Sequence, residues 1–173
     1  SGAISIQDAG VGYLEALYRA GRYDVLDREL RAALSRPGSD PAAIAAFAEQ
    51  RGRNEIARLA WAAVIKLKPS DPAAHRALAY AALDRAKYAE AANHFRAFLD
   101  QVSGDFADYF ALGETLTAMR ERNQAKAAYE TAEAHFKKIP SPTVRERLTG
   151  AILSQRLGRT DEAVTAFEQL LVD

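Results

Sequence analysis

A small residue followed four positions later by a large ring recurs along this chain, at Ala57/Trp61, Ala91/Phe95, Ala125/Tyr129 and Ala163/Phe167. A fainter copy puts Leu26 and Leu30 in the same two places. The markers 26, 57, 91, 125 and 163 stand 31, 34, 34 and 38 residues apart, a period that belongs to repeated supersecondary units. Four residues is about one helical turn, so both members of each pair share a helix face. The small member lets two helix backbones approach, and the ring fills the groove beside that contact. Trp61, Phe95, Tyr129 and Phe167 are therefore expected to lie between layers. A single unit of this kind cannot cover its own apolar face, so neighbouring units must stack.

Upstream of each marker lies a second amphipathic segment. The clearest is "DYFALGETLTAM" (108–119), with Tyr109, Leu112, Gly113 and Leu116 on one face. Its counterparts are "YLEALYRA" (13–20), "AIAAFAEQ" (43–50), "HRALAYAAL" (75–83) and, more loosely, "RLTGAILSQRL" (147–157). Each unit reads as two helices of about 12 to 16 residues. Gly21, Gly52 and Gly158 mark the tight turns inside units, where a left-handed helix end suits Gly. Between units come "SDP" (39–41), "KPSDP" (68–72) and "PSP" (140–142), where Asp or Ser can cap the next helix and Pro can fill its first turn. Ala, the strongest helix former, makes up about a fifth of the residues, and the whole chain reads as all-α.

A helix–turn–helix unit of about 34 residues, carrying a large residue, then Leu-Gly/Ala, then Ala, then an aromatic, resembles the tetratricopeptide repeat (TPR) family. The fourth unit carries the likeness best, at Tyr109, Leu112, Gly113, Ala125, Tyr129 and Ala132. The third matches at Leu78, Ala79, Ala91 and Phe95, and the second at Gly52, Ala57, Trp61 and Pro69. The fifth has Gly150 where Leu is expected, and the first lacks the Ala. The resemblance implies an α-solenoid of stacked antiparallel helix pairs, a right-handed superhelix forming a single array over 1–173. Its five repeats run approximately over 7–37, 38–71, 72–105, 106–143 and 144–173.

The resemblance also implies a concave groove lined by the first helix of each pair, where a partner's peptide or helix would bind. Carried over position by position, the groove takes Glu15, Tyr18 and Arg19; Ala46, Glu49 and Gln50; Arg76, Ala77, Tyr80 and Asp84. It continues with Ala107, Phe110, Ala111, Glu114 and Thr117, then Arg145, Leu148, Ile152, Gln155 and Arg156. The candidate partner-binding residues are Tyr18, Glu49, Arg76, Tyr80, Asp84, Phe110, Glu114, Ile152 and Gln155. Tyr80, Phe110 and Glu114 are the most suggestive: rings beside Ala leave room for an apolar anchor, and a carboxylate could receive a cation or a backbone N–H. The alternative is that Tyr80 and Phe110 only pack between neighbouring first helices. The basic and Asn clamp with which some family members grip chaperone C-terminal carboxylates is missing. Val11, Glu15, Ala43, Ala107 and Ala111 occupy its positions.

Other function classes are disfavoured. Lys plus Arg equals Asp plus Glu at 23 each, with the signs interspersed, which argues against nucleic acid as a partner, including RNA read by a pentatricopeptide-like array. The runs "AAIAAFA" (42–48) and "LAWAAVI" (59–65) are far short of the ~20 apolar residues that cross a bilayer, so no membrane insertion is expected. With no Cys, no His pair at ligand spacing, no paired nucleophile and base and no phosphate loop, the sequence points to no metal, no cofactor and no enzyme. Compartment, cytoplasm or periplasm, stays open, and the excess of Arg over Lys hints at a bacterial source. Phe167, Leu170 and Leu171 leave an apolar face on the final helix, so the chain reads as a segment of a longer array or larger protein, or as one whose end is buried by self-association or by a separate partner. Ser1-Gly2 reads as a cloning remnant. A protein-binding module is the first reading. A scaffold acting through end-to-end contacts, as in bacterial envelope or export machines, is the alternative.

Overall fold

The computed structural model describes residues 6–172, all connected by helices and turns, with no strand among them. Ten helices follow in order: α1 (Ile6–Arg19), α2 (Tyr23–Leu34), α3 (Pro41–Gln50), α4 (Asn54–Leu67), α5 (Pro72–Asp84), α6 (Tyr88–Leu99), α7 (Phe106–Ala118), α8 (Arg122–Phe136), α9 (Val144–Arg156) and α10 (Thr160–Val172). They make five helix pairs with the expected periodicity. Ser1-Gly2, read as a cloning remnant, lies outside the described residues. Contacts divide the chain into two compact units, 1–78 and 79–173, with the division falling inside α5.

Every pair is closed by the same backbone turn. Residue 21, 52, 86, 120 or 158 takes the left-handed conformation, with φ between 54° and 79°. The next amide bonds back five residues: Arg22 to Leu17, Arg53 to Ala48, Lys87 to Ala82, Glu121 to Leu116 and Arg159 to Ser154, at 2.8–3.0 Å. The left-handed residue itself donates to the carbonyl three residues before it, completing a Schellman motif each time. Gly fills this position in pairs 1, 2 and 5. The third and fourth pairs place Ala86 (φ 54°) and Arg120 (φ 63°) there, although a Cβ clashes with the following carbonyl in this region. Their turns form because the helices on either side are held by packing.

The starts of the first helices are capped as the sequence suggests, with one correction. Asp40 accepts from the amides of Ala42 and Ala43 (3.0 and 3.1 Å) with Pro41 in the first turn, and Asp71 accepts from Ala74 (3.0 Å). In the fifth pair the cap is not in "PSP" but at Thr143, which forms a capping box with Glu146. Asp105 and Asp108 form the equivalent box on α7.

The marker positions Leu26, Ala57, Ala91, Ala125 and Ala163 are all buried. Of the ring positions, Phe95 and Tyr129 are fully inside, whereas Trp61 and Phe167 are only half-buried. Trp61 keeps its edge at the surface because its indole N–H donates to the exposed Glu49 carboxylate (2.7 Å). The core of the first unit gathers Leu17, Val25, Leu26, Leu30, Ala48, Ile56 and Ala57. The second unit is built around Phe95, Phe106, Leu112, Leu116, Tyr129 and Leu153 with a lining of Ala. Gly113 and Gly150 mark two of its close approaches. A Cβ on Gly113 would sit 2.5 Å from Tyr129 Cδ1, and one on Gly150 would sit 2.6 Å from Phe136 Cζ. Gly150 thus replaces the expected Leu because the Phe136 ring already occupies that side chain's space.

Replacing Ala86 or Arg120 by Gly should stabilise the fold by about 0.5–1 kcal/mol each, the relief of the left-handed backbone less the entropy Gly adds to the unfolded chain. Urea midpoints measure it, and a lowered midpoint for both variants would contradict the shared turn.

Candidate functional site

The second unit carries an open cleft of about 860 Å³. Its lining comes from the first helices of three successive pairs, from the end of α8 and from the loop between α8 and α9. Tyr80 of α5, Phe106, Ala107, Phe110 and Ala111 of α7, and Ile139 make its apolar part. Asp105, Thr143, Glu146 and Thr149, with His135, Lys138 and Arg145, add polar and charged groups.

Packing fixes the rings before any ligand arrives. Tyr80 meets Phe95 edge-on (5.2 Å between centroids, 82°) and donates its hydroxyl to Oδ1 of buried Asp108 (3.0 Å). Asp108 Oδ2 meanwhile accepts from the Asp105 amide at the start of α7 (2.9 Å), so the α7 capping box also orients the Tyr80 ring. Phe110 is half-buried, with ring centroids of Phe106 and Tyr129 at 6.3 and 5.9 Å. Tyr80 and Phe110 therefore both pack in the core and face the cleft.

Glu114, one turn beyond Phe110, does not line the cleft. Its carboxylate accepts two hydrogen bonds from the Arg156 guanidinium (2.7 and 3.0 Å) and one from the Tyr129 hydroxyl (2.5 Å), which also lies 2.9 Å from Thr117 Oγ1. The Arg156 bond holds Glu114 below its usual range, burial opposes this, and the Tyr129 bond adds to it. Arg156 is shifted up by the same pairing, and the Tyr129 phenol is pushed up to about 12, first by burial and then by donating to Glu114. The expected acceptor for a partner's cation is thus already engaged within the fold.

The remaining candidates fall elsewhere. Asp84 and Gln155 are exposed and Ile152 half-buried, and none of the three lines the cleft. In the first unit, Tyr18 is half-buried beside Tyr23 (5.8 Å). The Arg51 guanidinium stands over Phe47 (3.7 Å to the centroid), lies 5.7 Å from the Tyr18 ring and holds Glu15 with two bonds of 2.5 and 2.8 Å. Glu49 is taken by Trp61, and Arg76 is half-buried on α5. Of the cleft lining, sequence reasoning did not name Asp105, Phe106, His135, Lys138, Ile139, Thr143, Glu146 or Thr149 as groove residues. For Lys138, Ile139 and Thr143 the signal was the 38-residue fourth interval, which is long enough to lay extra chain against the first helices.

His75, which lies 2.9 Å from the Pro69 carbonyl, and His135, which stacks on Tyr109 at 5.0 Å, are tied into local structure. Among the described residues no cluster of His, Asp and Glu could hold a metal, and no helix is long and apolar enough to cross a membrane.

Because Glu114 titrates lower in the folded chain than its ordinary 4.5, its contribution to stability is complete above that value and is lost as pH falls below it. The melting temperature should drop below pH 4.5. Glu114→Gln should flatten part of that acid slope and cost about 1 kcal/mol at neutral pH, after allowance for partial exposure. Melts across pH measure both, and an unchanged acid slope in the variant would dissociate Glu114 from it.

No family model matches the chain, and neither does any curated protein. Solved structures do. MamA (residues 41 to end) from Desulfovibrio magneticus RS-1 superposes with a TM-score of 0.69 at 16% identity, over 98% of this chain and 96% of that one. PilF from Pseudomonas aeruginosa gives 0.62 at 21% identity, over 94% and 74%. YrrB, described as a TPR protein with an unusual peptide-binding site, gives 0.57 at 17% identity, over 75% and 65%.

Proposed function

We propose that this chain, whose helix pairs have the tetratricopeptide-repeat fold, is a protein-interaction module that holds an extended peptide or helix of a partner in the cleft of its second unit. One observation carries the reading. Half-buried Tyr80 and Phe110 line an open cleft together with Phe106, and the small side chains of Ala107 and Ala111 lie beside them in the same lining. Rings locked by neighbours lose little entropy on binding, and small side chains leave a socket for an apolar anchor. The likeness to YrrB, described as binding peptide, supports the assignment. Work of this kind needs no catalytic residue, metal or cofactor.

Truncating Tyr80 or Phe110 would also strip contacts from Asp108 and Tyr129, so those changes confuse binding with stability. Ala107 is exposed within the cleft and suits the test better. Ala107→Trp should abolish retention of partner proteins from lysate of the source organism, whereas Ala134→Trp, exposed on α8, should retain them. Equal retention by both would remove the cleft from the function.

A scaffold role through self-association draws on a separate observation. On α10, Val164 (49%), Leu171 (87%) and Val172 (87%) are exposed, far more than a buried face tolerates. Light scattering over a concentration series should show rising mass that Leu171→Glu suppresses. A concentration-independent monomer would exclude this reading.

A further inference from the structure

The cleft's charges are not equivalent, and the difference points to the chemistry of what it holds. Its two carboxylates are committed to helix starts. Asp105 accepts the Asp108 amide (3.1 Å). Glu146 accepts the amide and hydroxyl of Thr143 (2.7 and 2.8 Å), which hold its carboxyl below the usual range. Each sits where the partial positive charge of a helix N-terminus offsets it.

The side chains of two exposed cations on the cleft, Lys138 and Arg145, have neither an ion-pair nor a hydrogen-bond partner among the described residues. Neighbouring Lys137, by contrast, is paired with Glu133 (3.1 Å). Arg145 also breaks a local rule, because it lies in the first turn of α9, where the helix dipole disfavours a cation. Helix stability does not account for it there, and a negatively charged ligand would. Half-buried His135 belongs to the same lining.

We infer that the cleft selects an acidic peptide: an apolar side chain seated beside Phe106, Phe110 and Ala107, with Asp or Glu next to it meeting Lys138 and Arg145. This rests on the peptide-binding reading above and adds the charge of the partner. The recognition differs from a carboxylate clamp on the groove positions, since Lys138 lies in the loop after α8 and the clamp positions hold Ala107 and Ala111.

A random peptide library displayed on phage, selected on the intact chain at low salt, tests it. Lys138→Glu/Arg145→Glu serves as the charge variant and Ala107→Trp as the blocked cleft. Thermal melts should show the charge variant folded, since neither side chain has a partner to lose. Selected peptides should combine an apolar residue with flanking Asp or Glu, bind the charge variant about tenfold more weakly and weaken with added salt. Neutral or basic peptides that Ala107→Trp excludes would overturn the acidic preference and leave the cleft reading standing. Peptides bound equally by Ala107→Trp, or no enrichment, would overturn both.

Discussion

The close approach of two helix backbones within each pair is the contact from which the rest of the structure follows. It needs a side chain small enough to admit a neighbour's ring, and the fourth pair takes this furthest, with the Tyr129 ring in the space a Cβ of Gly113 would need. Drawing that ring inward places its hydroxyl beside Glu114 and Thr117. Glu114, so placed, also holds Arg156, which ties α7 to α9. A packing requirement on one face thereby decides which polar groups are engaged on another. Close-packed interiors transmit constraint in this way because a side chain held in one rotamer has few positions left for its polar end.

A second tier of contacts joins successive pairs through the residue that follows the left-handed turn in the second, fourth and fifth pairs. Arg53 holds Asp27 with two bonds of 2.6 and 2.8 Å, and Glu121 accepts from Arg96 at 3.0 Å. Arg159 holds Glu133 in the same manner. The sign of the turn residue reverses at Glu121 and its partner reverses with it. Each of these pairs is partly exposed and contributes modestly to stability, but together they fix which face of one pair meets the next. The turn that positions them is common to all five pairs, even where Ala86 and Arg120 strain to adopt it.

The cleft arises where the regular repeat is interrupted. Its apolar part consists of ordinary first-helix positions, while Lys138, Ile139 and Thr143 come from chain added between the fourth and fifth pairs. A strictly regular array offers the same surface at every step, and a longer loop gives one step a different chemistry. Insertions at such loops cost little stability, so they are places where a repeat fold can gain specificity.

Much of the architecture was legible in the residues themselves. Helix pairs follow from apolar spacing, the turns from Gly21, Gly52 and Gly158, and the first-helix starts from Asp40 and Asp71, because each depends on neighbours within a few residues. The placing of Tyr80 and Phe110 on first helices was legible for the same reason: their register on a helix is local. That Glu114 is occupied by Arg156, 42 residues away, was not. Nor was the replacement of a Leu at Gly150 by Phe136, or the gathering of Lys138 and Arg145 onto one cleft. The sequence by itself determined repeating helix pairs and the faces they bury, since a period of 3.6 residues and a left-handed helix end are properties of adjacent backbone. Only the tertiary structure decided which charges were consumed and which were left facing solvent, since an ion pair between repeats depends on distances that no local spacing encodes.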